Sequence, residues 1–298
     1  MKSRYGWIGV GKMGNPMATR LMEAGYAVTV CDPLAENRAS LVARGAGIAL
    51  TAGALAEQCQ VIFATIPNDD VLRALVFGGG AQGFLHSLRP GSIFVEMSTV
   101  SPQLSQEVAV ELAARGVGYL RCPVSGSTAL ARSGKLTVLA SGDAASWASM
   151  GETLDLLCSR KFFLGAGEEA RYMKLVLNTL VGATSAILGE ALTLGEAGGL
   201  RAADMMQVIS ESAVASPLIS YKKEMIEMMD FSPAFSVTQM MKDFTLITDA
   251  GRAKQIPMFA ANMILQQYIS AANAGYAQQD FFALFDWMRT AGVEGDLA

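Results

Sequence analysis

Three glycines, Gly9, Gly11 and Gly14 in Trp7-Ile8-Gly9-Val10-Gly11-Lys12-Met13-Gly14, constrain this chain more than any other feature. They follow an apolar run, Tyr5–Val10, and open a helical pattern that carries Met13, Met17 and Leu21 on one face. A second strand pattern, Ala27-Val28-Thr29-Val30-Cys31, then ends on Asp32. Strand, glycine turn, helix, strand and acid in that order fit the dinucleotide-binding fingerprint. The first glycine permits the tight turn, the second lets a pyrophosphate approach the backbone, and the third lets helix pack on strand. The phosphates then rest on free N–H groups at the helix N-terminus. The candidate cofactor residues are therefore Gly9, Val10, Gly11, Lys12, Met13, Gly14 and Asp32. A carboxylate at Asp32 accepts hydrogen bonds from ribose hydroxyls and repels a 2′-phosphate, which favours NAD over NADP. Arg38, about a helical turn further on, keeps NADP possible.

The rest of the chain extends this pattern. Strand candidates recur at Val61–Thr65, Ser92–Met97, Val117–Cys122, Leu136–Ser141 and Phe162–Leu164, with helical patterns such as Pro102–Arg115 and Ala144–Leu157 between them. Such alternation predicts an α/β fold, a doubly wound and mostly parallel sheet covered by helices on both faces. After Gly165-Ala166-Gly167 the character changes to one long helical pattern from Glu168 to about Gly198. Further helices follow, punctuated by Ser216-Pro217, Ser232-Pro233 and Ile256-Pro257, because the residue before a proline leaves the α region. The expected domains are residues 1–165, a Rossmann-type dinucleotide domain, and residues 166–298, a long linking helix with an all-helical domain. The most apolar stretch, Leu175–Leu194, carries Asn178 and Glu190 and reads as a buried helix, since charges are costly inside a membrane span. Eleven of the 17 methionines lie beyond residue 165, a pattern of core filling or subunit contact.

Charge and cysteine usage narrow the partners. With 23 basic and 27 acidic residues the chain has no basic excess, which argues against nucleic acid. Its four cysteines, Cys31, Cys59, Cys122 and Cys158, are scattered and include no CxxC, so neither a metal site nor a disulfide framework is expected. A reducing, cytoplasmic compartment suits them. The first strand pattern begins at about Tyr5, so no leader is expected.

A dinucleotide site needs a proton partner before it implies a reaction. The single histidine, His86, falls in an expected surface loop before Arg89-Pro90-Gly91. Lys174 is the better candidate, in Met173-Lys174-Leu175-Val176-Leu177-Asn178 near the start of the long helix. Residues four apart share a helix face, which pairs Lys174 with Asn178. Among mostly apolar neighbours such a lysine either snorkels to water or lines a cleft, where partial desolvation would bring its pKa towards neutrality.

Taken together, the motifs resemble the β-hydroxyacid dehydrogenase family, which includes 3-hydroxyisobutyrate dehydrogenase and the tartronate semialdehyde and glyoxylate/succinic semialdehyde reductases. The resemblance covers nearly the whole chain. Gly9-Val10-Gly11-Lys12-Met13-Gly14-Asn15-Pro16-Met17-Ala18 is similar to the family's N-terminal signature, and Ile66-Pro67 and Met97-Ser98-Thr99-Val100-Ser101-Pro102 to two cofactor-side segments. Pro123-Val124-Ser125-Gly126-Ser127 resembles the substrate-side loop, Lys174 with Asn178 the catalytic helix, and Lys242-Asp243 a late motif that closes over the cofactor. The resemblance implies a hydride transfer between NAD, or possibly NADP, and a small 2- or 3-hydroxy acid. Lys174 would exchange the proton, Asn178 would orient the substrate or hold the lysine, and Ser125, Gly126 and Ser127 would bind the substrate carboxylate. Ile66, Pro67, Thr99 and Lys242 would contact the cofactor. A homodimer or homotetramer through the helical domain is also implied.

Five positions depart from the family's pattern. Arg121 stands where an aspartate is usual, Glu168 and Ala170 stand where glycines are usual, Glu96 replaces an aspartate, and Ser127 a frequent second glycine. Arg121 is expected to form a surface or sheet-end ion pair rather than to bind substrate. Rival readings are an NADPH-preferring reductase of small semialdehydes, an imine-reducing relative, and a dinucleotide-binding module without catalysis. The presence of Lys174 argues against the imine reductase, and its presence with Asn178 and the Ser125-Gly126 loop argues against the module.

Overall fold

The computed structural model describes residues 4–80 and 83–293. The chain forms two compact units, Met1–Lys174 and Leu175–Ala298. Among the described residues the first is built on a nine-stranded sheet. Its strands are β1 (Arg4–Ile8), β2 (Ala27–Cys31), β3 (Gly47–Ile48), β4 (Val61–Ala64), β5 (Ile93–Glu96), β6 (Gly118–Arg121), β7 (Val124–Ser125), β8 (Leu136–Gly142) and β9 (Cys158–Phe163). They lie in the order β3-β2-β1-β4-β5-β6-β8-β7, with β9 beside β8. From β3 to β6 every pairing is parallel. β8 runs antiparallel to β6 and β7, and β9 is parallel to β8.

This is the doubly wound, mostly parallel sheet that the alternating pattern predicts. All four residues of β4 are buried, as strands covered on both faces must be, so they read as continuous apolar runs without alternation. The sheet order reverses direction between β1 and β4, and in such sheets ligands bind at that crevice, beyond the strand C-termini. Gly9, Asp32, Thr65 and Met97 each directly follow one of the strands β1, β2, β4 and β5 and therefore share that edge.

Helices cover the sheet: α1 (Gly14–Glu23), α2 (Ala35–Ala43), α3 (Ala52–Ala56), α4 (Asp69–Phe77), α5 (Phe84–Ser87), α6 (Pro102–Ala113), α7 (Thr128–Arg132) and α8 (Ala144–Asp155). α1 buries Met17, Ala18 and Leu21, the apolar face read from the sequence. α6 starts where Ser101 accepts a hydrogen bond from Leu104 N and Pro102 fills the first turn, a position whose missing N–H costs nothing. Three details differ from expectation. The two-residue strands β3 and β7 are too short to leave a periodic signal. β9 starts at Cys158, ahead of the apolar run, because the polar residues Ser159, Arg160 and Lys161 interrupt the pattern after a buried Cys158. His86 lies in the short helix α5 rather than in a loop, and is exposed.

α9 (Glu169–Ala197) is the long helix. The division between the units falls inside it, later than the glycine-rich boundary at residue 165, because Ala170 and Arg171 in its first turn are buried against the sheet domain. The second unit continues with α10 (Ala202–Glu211), α11 (Pro217–Glu227), α12 (Val237–Ala253), α13 (Phe259–Ala271) and α14 (Leu284–Val293). Ser216 caps α11 ahead of Pro217, and Ser236 and Gln239 form a capping box at the start of α12. These devices satisfy N–H groups that a helix start leaves unpaired. Leu192, Met206, Ile226, Phe244, Tyr268 and Phe285 are core residues of this unit. Inside it Lys222 pairs with Asp280 at 2.7 Å.

The expectation that Leu175–Leu194 is buried needs correction. Leu188 and Leu192 are buried, but Val176, Leu180, Ile187 and Leu194 are exposed at 50, 62, 56 and 76%. Their spacing places them on one face of α9, which the described residues leave exposed.

Candidate active site

The glycine loop is shaped by what it must avoid. Gly9 has φ of +77°, and a Cβ on it would lie 2.2 Å from Thr65 O. A Cβ on Gly14 would lie 2.1 Å from Gly9 O and 2.3 Å from Thr65 Oγ1. Thr65 locks the two together, its hydroxyl donating to Gly9 O at 2.5 Å and accepting from Trp7 Nε1 at 2.9 Å. Gly11 differs, since a Cβ there would meet nothing within 4 Å. Met13 provides no side-chain cap for α1. Open space over Gly11, bounded by uncapped N–H groups at the positive end of a helix, fits the pyrophosphate of a dinucleotide. Val10 is buried in this loop, Lys12 exposed and Met13 half-buried.

Asp32 is more committed to its own chain than the sequence implies. Its carboxylate accepts from Val10 N at 2.8 Å, Leu34 N at 2.9 Å and Asn37 Nδ2 at 3.1 Å. A carboxylate offers about four acceptor positions, so these bonds leave little spare capacity. Asp32 thus ties the glycine loop to the end of β2. Arg38 is close by, its Nη1 donating to Asp32 O at 2.8 Å.

The segments at Ile66-Pro67 and Ser98-Thr99, expected on the cofactor side, are joined to each other. Ile66 N donates to Ser98 Oγ at 2.8 Å, and Ser98 N donates to Glu96 Oε1 at 2.8 Å. Pro67 is exposed and Thr99 half-buried. In the loop expected to bind substrate, Ser125 lies in β7, half-buried, and Gly126 is exposed. The Ser127 hydroxyl caps α7, accepting from Leu130 N at 3.4 Å.

On α9, Lys174 is half-buried and closes the first unit. In the second unit Asn178 is buried and donates its side-chain amide to Asp243, which is fully buried on α12. Lys242 Nζ approaches the other oxygen of Asp243 at 2.8 Å, as an ion-pair contact without hydrogen-bond geometry. Asp243 is the residue that motif reading underweighted. Its signal was an acid between Met240, Phe244 and Ile247 on the apolar face of a helix, where an unpartnered carboxylate would be costly.

The departures from the family pattern find partners among themselves and their neighbours. Arg121 pairs with Glu168, and both side chains are largely buried. The ion pair therefore forms at the sheet end, where β6 finishes, and inside the protein rather than at its surface. The Arg121 guanidinium also lies 4.6 Å from the centre of the Tyr119 ring. Glu96 pairs with Arg171, which is likewise buried. Burial raises the pKa of the Tyr119 phenol that sits between the two arginines.

Residues 4–165 match the family model for the NAD binding domain of 6-phosphogluconate dehydrogenase. Residues 165–288 match the model for the NAD-binding region of NADP-dependent 3-hydroxyisobutyrate dehydrogenase. The chain belongs to the β-hydroxyacid dehydrogenase family. It is similar to 2-(hydroxymethyl)glutarate dehydrogenase of Eubacterium barkeri, with 30% identity over 97% of this chain and 96% of the other. A solved 3-hydroxyisobutyrate dehydrogenase from Salmonella typhimurium superposes with a TM-score of 0.87 at 28% identity, covering 96% of this chain and 99% of that one. The cytokine-like nuclear factor N-PAC of Xenopus tropicalis is 28% identical over 95% of this chain but only 52% of its own length. This family member is thus an NAD(P)-dependent hydroxyacid oxidoreductase.

Proposed function

We propose that the dehydrogenase interconverts a small 2- or 3-hydroxy acid of the 3-hydroxyisobutyrate type and its carbonyl counterpart, with Lys174 as general acid and base. The bound nicotinamide cofactor supplies or accepts the hydride. In the reducing direction the Lys174 ammonium donates a proton to the carbonyl oxygen, and in the oxidising direction the amine accepts it from the hydroxyl. Backbone N–H groups at Ser125 and Gly126 bind the substrate carboxylate, with Ser127 holding the loop by capping α7. Asn178 orients the substrate or steadies the lysine, and Ile66, Pro67, Thr99 and Lys242 contact the cofactor. The observation that carries this reading is the built support of Asn178, whose amide is held by a fully buried acid. Binding a dinucleotide alone requires no such device.

The deciding experiment is Lys174→Ala. Turnover should fall by about 10²- to 10⁴-fold while cofactor affinity stays within about twofold. Wild-type turnover in that variant would remove the lysine from the mechanism. Screening 3-hydroxyisobutyrate, glycerate, threonate, serine and 4-hydroxybutyrate for NADH formation would identify the substrate.

Asp32 supports NAD as the preferred cofactor. Arg38, beside it, supports a second reading as an NADPH-preferring reductase of small semialdehydes such as glyoxylate or succinic semialdehyde. The two readings separate on kcat/KM measured with each cofactor, and a clear NADP advantage would favour the second. The exposed face of α9, with Val176, Leu180, Ile187 and Leu194, supports a homodimer or homotetramer through the helical domain. Residues 1–165 are assigned to dinucleotide binding and 166–298 to the linking helix, substrate binding and oligomerisation. Four buried free thiols suit a cytoplasmic location.

A further inference from the structure

Arg171 is 1% exposed, and every nitrogen of its guanidinium is used. Nε donates to Ser105 Oγ at 3.2 Å, Nη1 to Ser98 O at 2.8 Å, and Nη2 to Glu96 and to the Tyr119 hydroxyl at 3.1 Å. The fork therefore reaches β5, α6 and β6 and the segment after β5 from a single position in the first turn of α9. Its partners lead directly to the cofactor edge. Glu96 also accepts from Ser98 N, and Ser98 Oγ holds Ile66 N, each at 2.8 Å. A continuous chain of hydrogen bonds thus runs from α9 through Glu96 and Ser98 to the backbone after β4.

Such a cluster is a poor device for stability alone. A buried ion pair often contributes no more than apolar residues of the same volume, yet losing one partner is severe. Its consequence is geometric. Any shift of the first turn of α9 relative to Ser98 would strand a buried guanidinium and a buried carboxylate together. Burial by itself would lower the arginine's pKa, but Glu96 and Tyr119 more than reverse this and hold it raised. The guanidinium therefore stays charged and its geometry stays planar and directional.

We propose that Arg171 is a positioning residue: through Glu96 and Ser98 it sets the Ser98-Thr99 and Ile66 segments that receive the dinucleotide, and it fixes the turn of α9 that leads to Lys174. The second half rests on the proton-transfer role proposed for Lys174. The first half stands on the cofactor side alone, so the two are separable.

Three variants test it, each followed by thermal melting, by NADH and NADPH dissociation constants from fluorescence, and by kcat and KM with 3-hydroxyisobutyrate and 2-(hydroxymethyl)glutarate. Ser98→Ala removes only the Ile66 contact and should weaken reduced-cofactor binding about three- to tenfold. Glu96→Gln with Arg171→Met removes both charges together, which should spare the fold. That double variant should bind reduced cofactor about tenfold more weakly and lower kcat about tenfold, with KM for the hydroxy acid within about twofold. Arg171→Lys keeps the charge but not the fork and should fall between it and the wild type. Wild-type dissociation constants in a folded double variant would overturn the proposal. If the double variant does not fold, wild-type dissociation constants in both Ser98→Ala and Arg171→Lys would overturn it equally. Full turnover in Lys174→Ala would overturn the lysine reading and the α9 half of this one, while the dissociation constants judge the cofactor half independently.

Discussion

Arg121 on β6 and Glu168 just ahead of α9 neutralise each other inside the first unit. Each stands where the family pattern has a different residue, an aspartate and a glycine. Arg121 Nε and Glu168 Oε2 are both buried without a hydrogen-bond partner. The pair is therefore held by one contact and by the Tyr119 ring, and it tolerates the loss of either member badly. Arg121→Ala should destabilise the protein by about 3 kcal/mol, because it leaves Glu168 buried and uncompensated. KM for the hydroxy acid should stay within about twofold. Chemical unfolding and steady-state kinetics on the same preparation check this. A large rise in KM with unchanged stability would make Arg121 a substrate ligand instead.

Gly11 and Gly14 separate space for a ligand from space for packing. Gly14→Ala should lose cofactor binding and several kilocalories of stability, since its Cβ would collide with backbone and with Thr65. Gly11→Ala meets no protein atom within 4 Å. Its unfolding free energy should change by less than about 0.5 kcal/mol. Its dinucleotide affinity should nonetheless fall at least about tenfold, because the methyl group enters the space left for pyrophosphate. Calorimetric titration beside thermal melting measures both effects.

Asp243 is buried with no exposed surface and holds Asn178. Asp243→Ala should lower kcat/KM about tenfold or more and cost about 2 kcal/mol of stability, the scale of a charged hydrogen bond left unmade. Asp243→Asn, which keeps an acceptor oxygen, should recover part of both. Equal losses in the two variants would mean that the charge, rather than the hydrogen bond to Asn178, is what matters.

Asp143 caps α8, accepting from Ser146 N at 2.8 Å and Ser146 Oγ at 2.5 Å. These bonds hold its pKa below the usual carboxylate value. A depressed folded-state pKa contributes stability that is fully present above the unfolded value of about 3.9 and lost as pH falls through the folded one. Asp143→Asn should therefore be less stable than the wild type at pH 7, and the gap should close in acid. Denaturant midpoints for both proteins at pH 7 and pH 3 measure it. A gap independent of pH would assign the effect to cap geometry alone.

Local regularities made much of this molecule legible. The glycine spacing, the continuous apolar runs of β1 and β4 and the proline-marked helix starts each depend on residues close in the chain, so they can be read without knowing what packs on them. Asp32, Lys174 and Asn178 were legible as candidates for the same reason. What escaped was set by pairing at long range. Asp243 is one acid among 27 acidic residues until α12 places it against Asn178. Arg171 looks like an ordinary polar residue at a helix start until four partners from distant segments surround it.

The succession of the longer strands and helices, the dinucleotide fingerprint and the family were determined by sequence, because backbone sterics and apolar periodicity act within a few residues. The tertiary structure decided that Arg121 and Glu168 cancel inside the protein, that Asp32 is largely engaged by its own loop, that α9 leaves an apolar face exposed among the described residues, and that Arg171 joins the helix to Glu96 and Ser98. Each of those depends on the desolvation of a group by residues far away in the chain, and burial is a property of the folded whole.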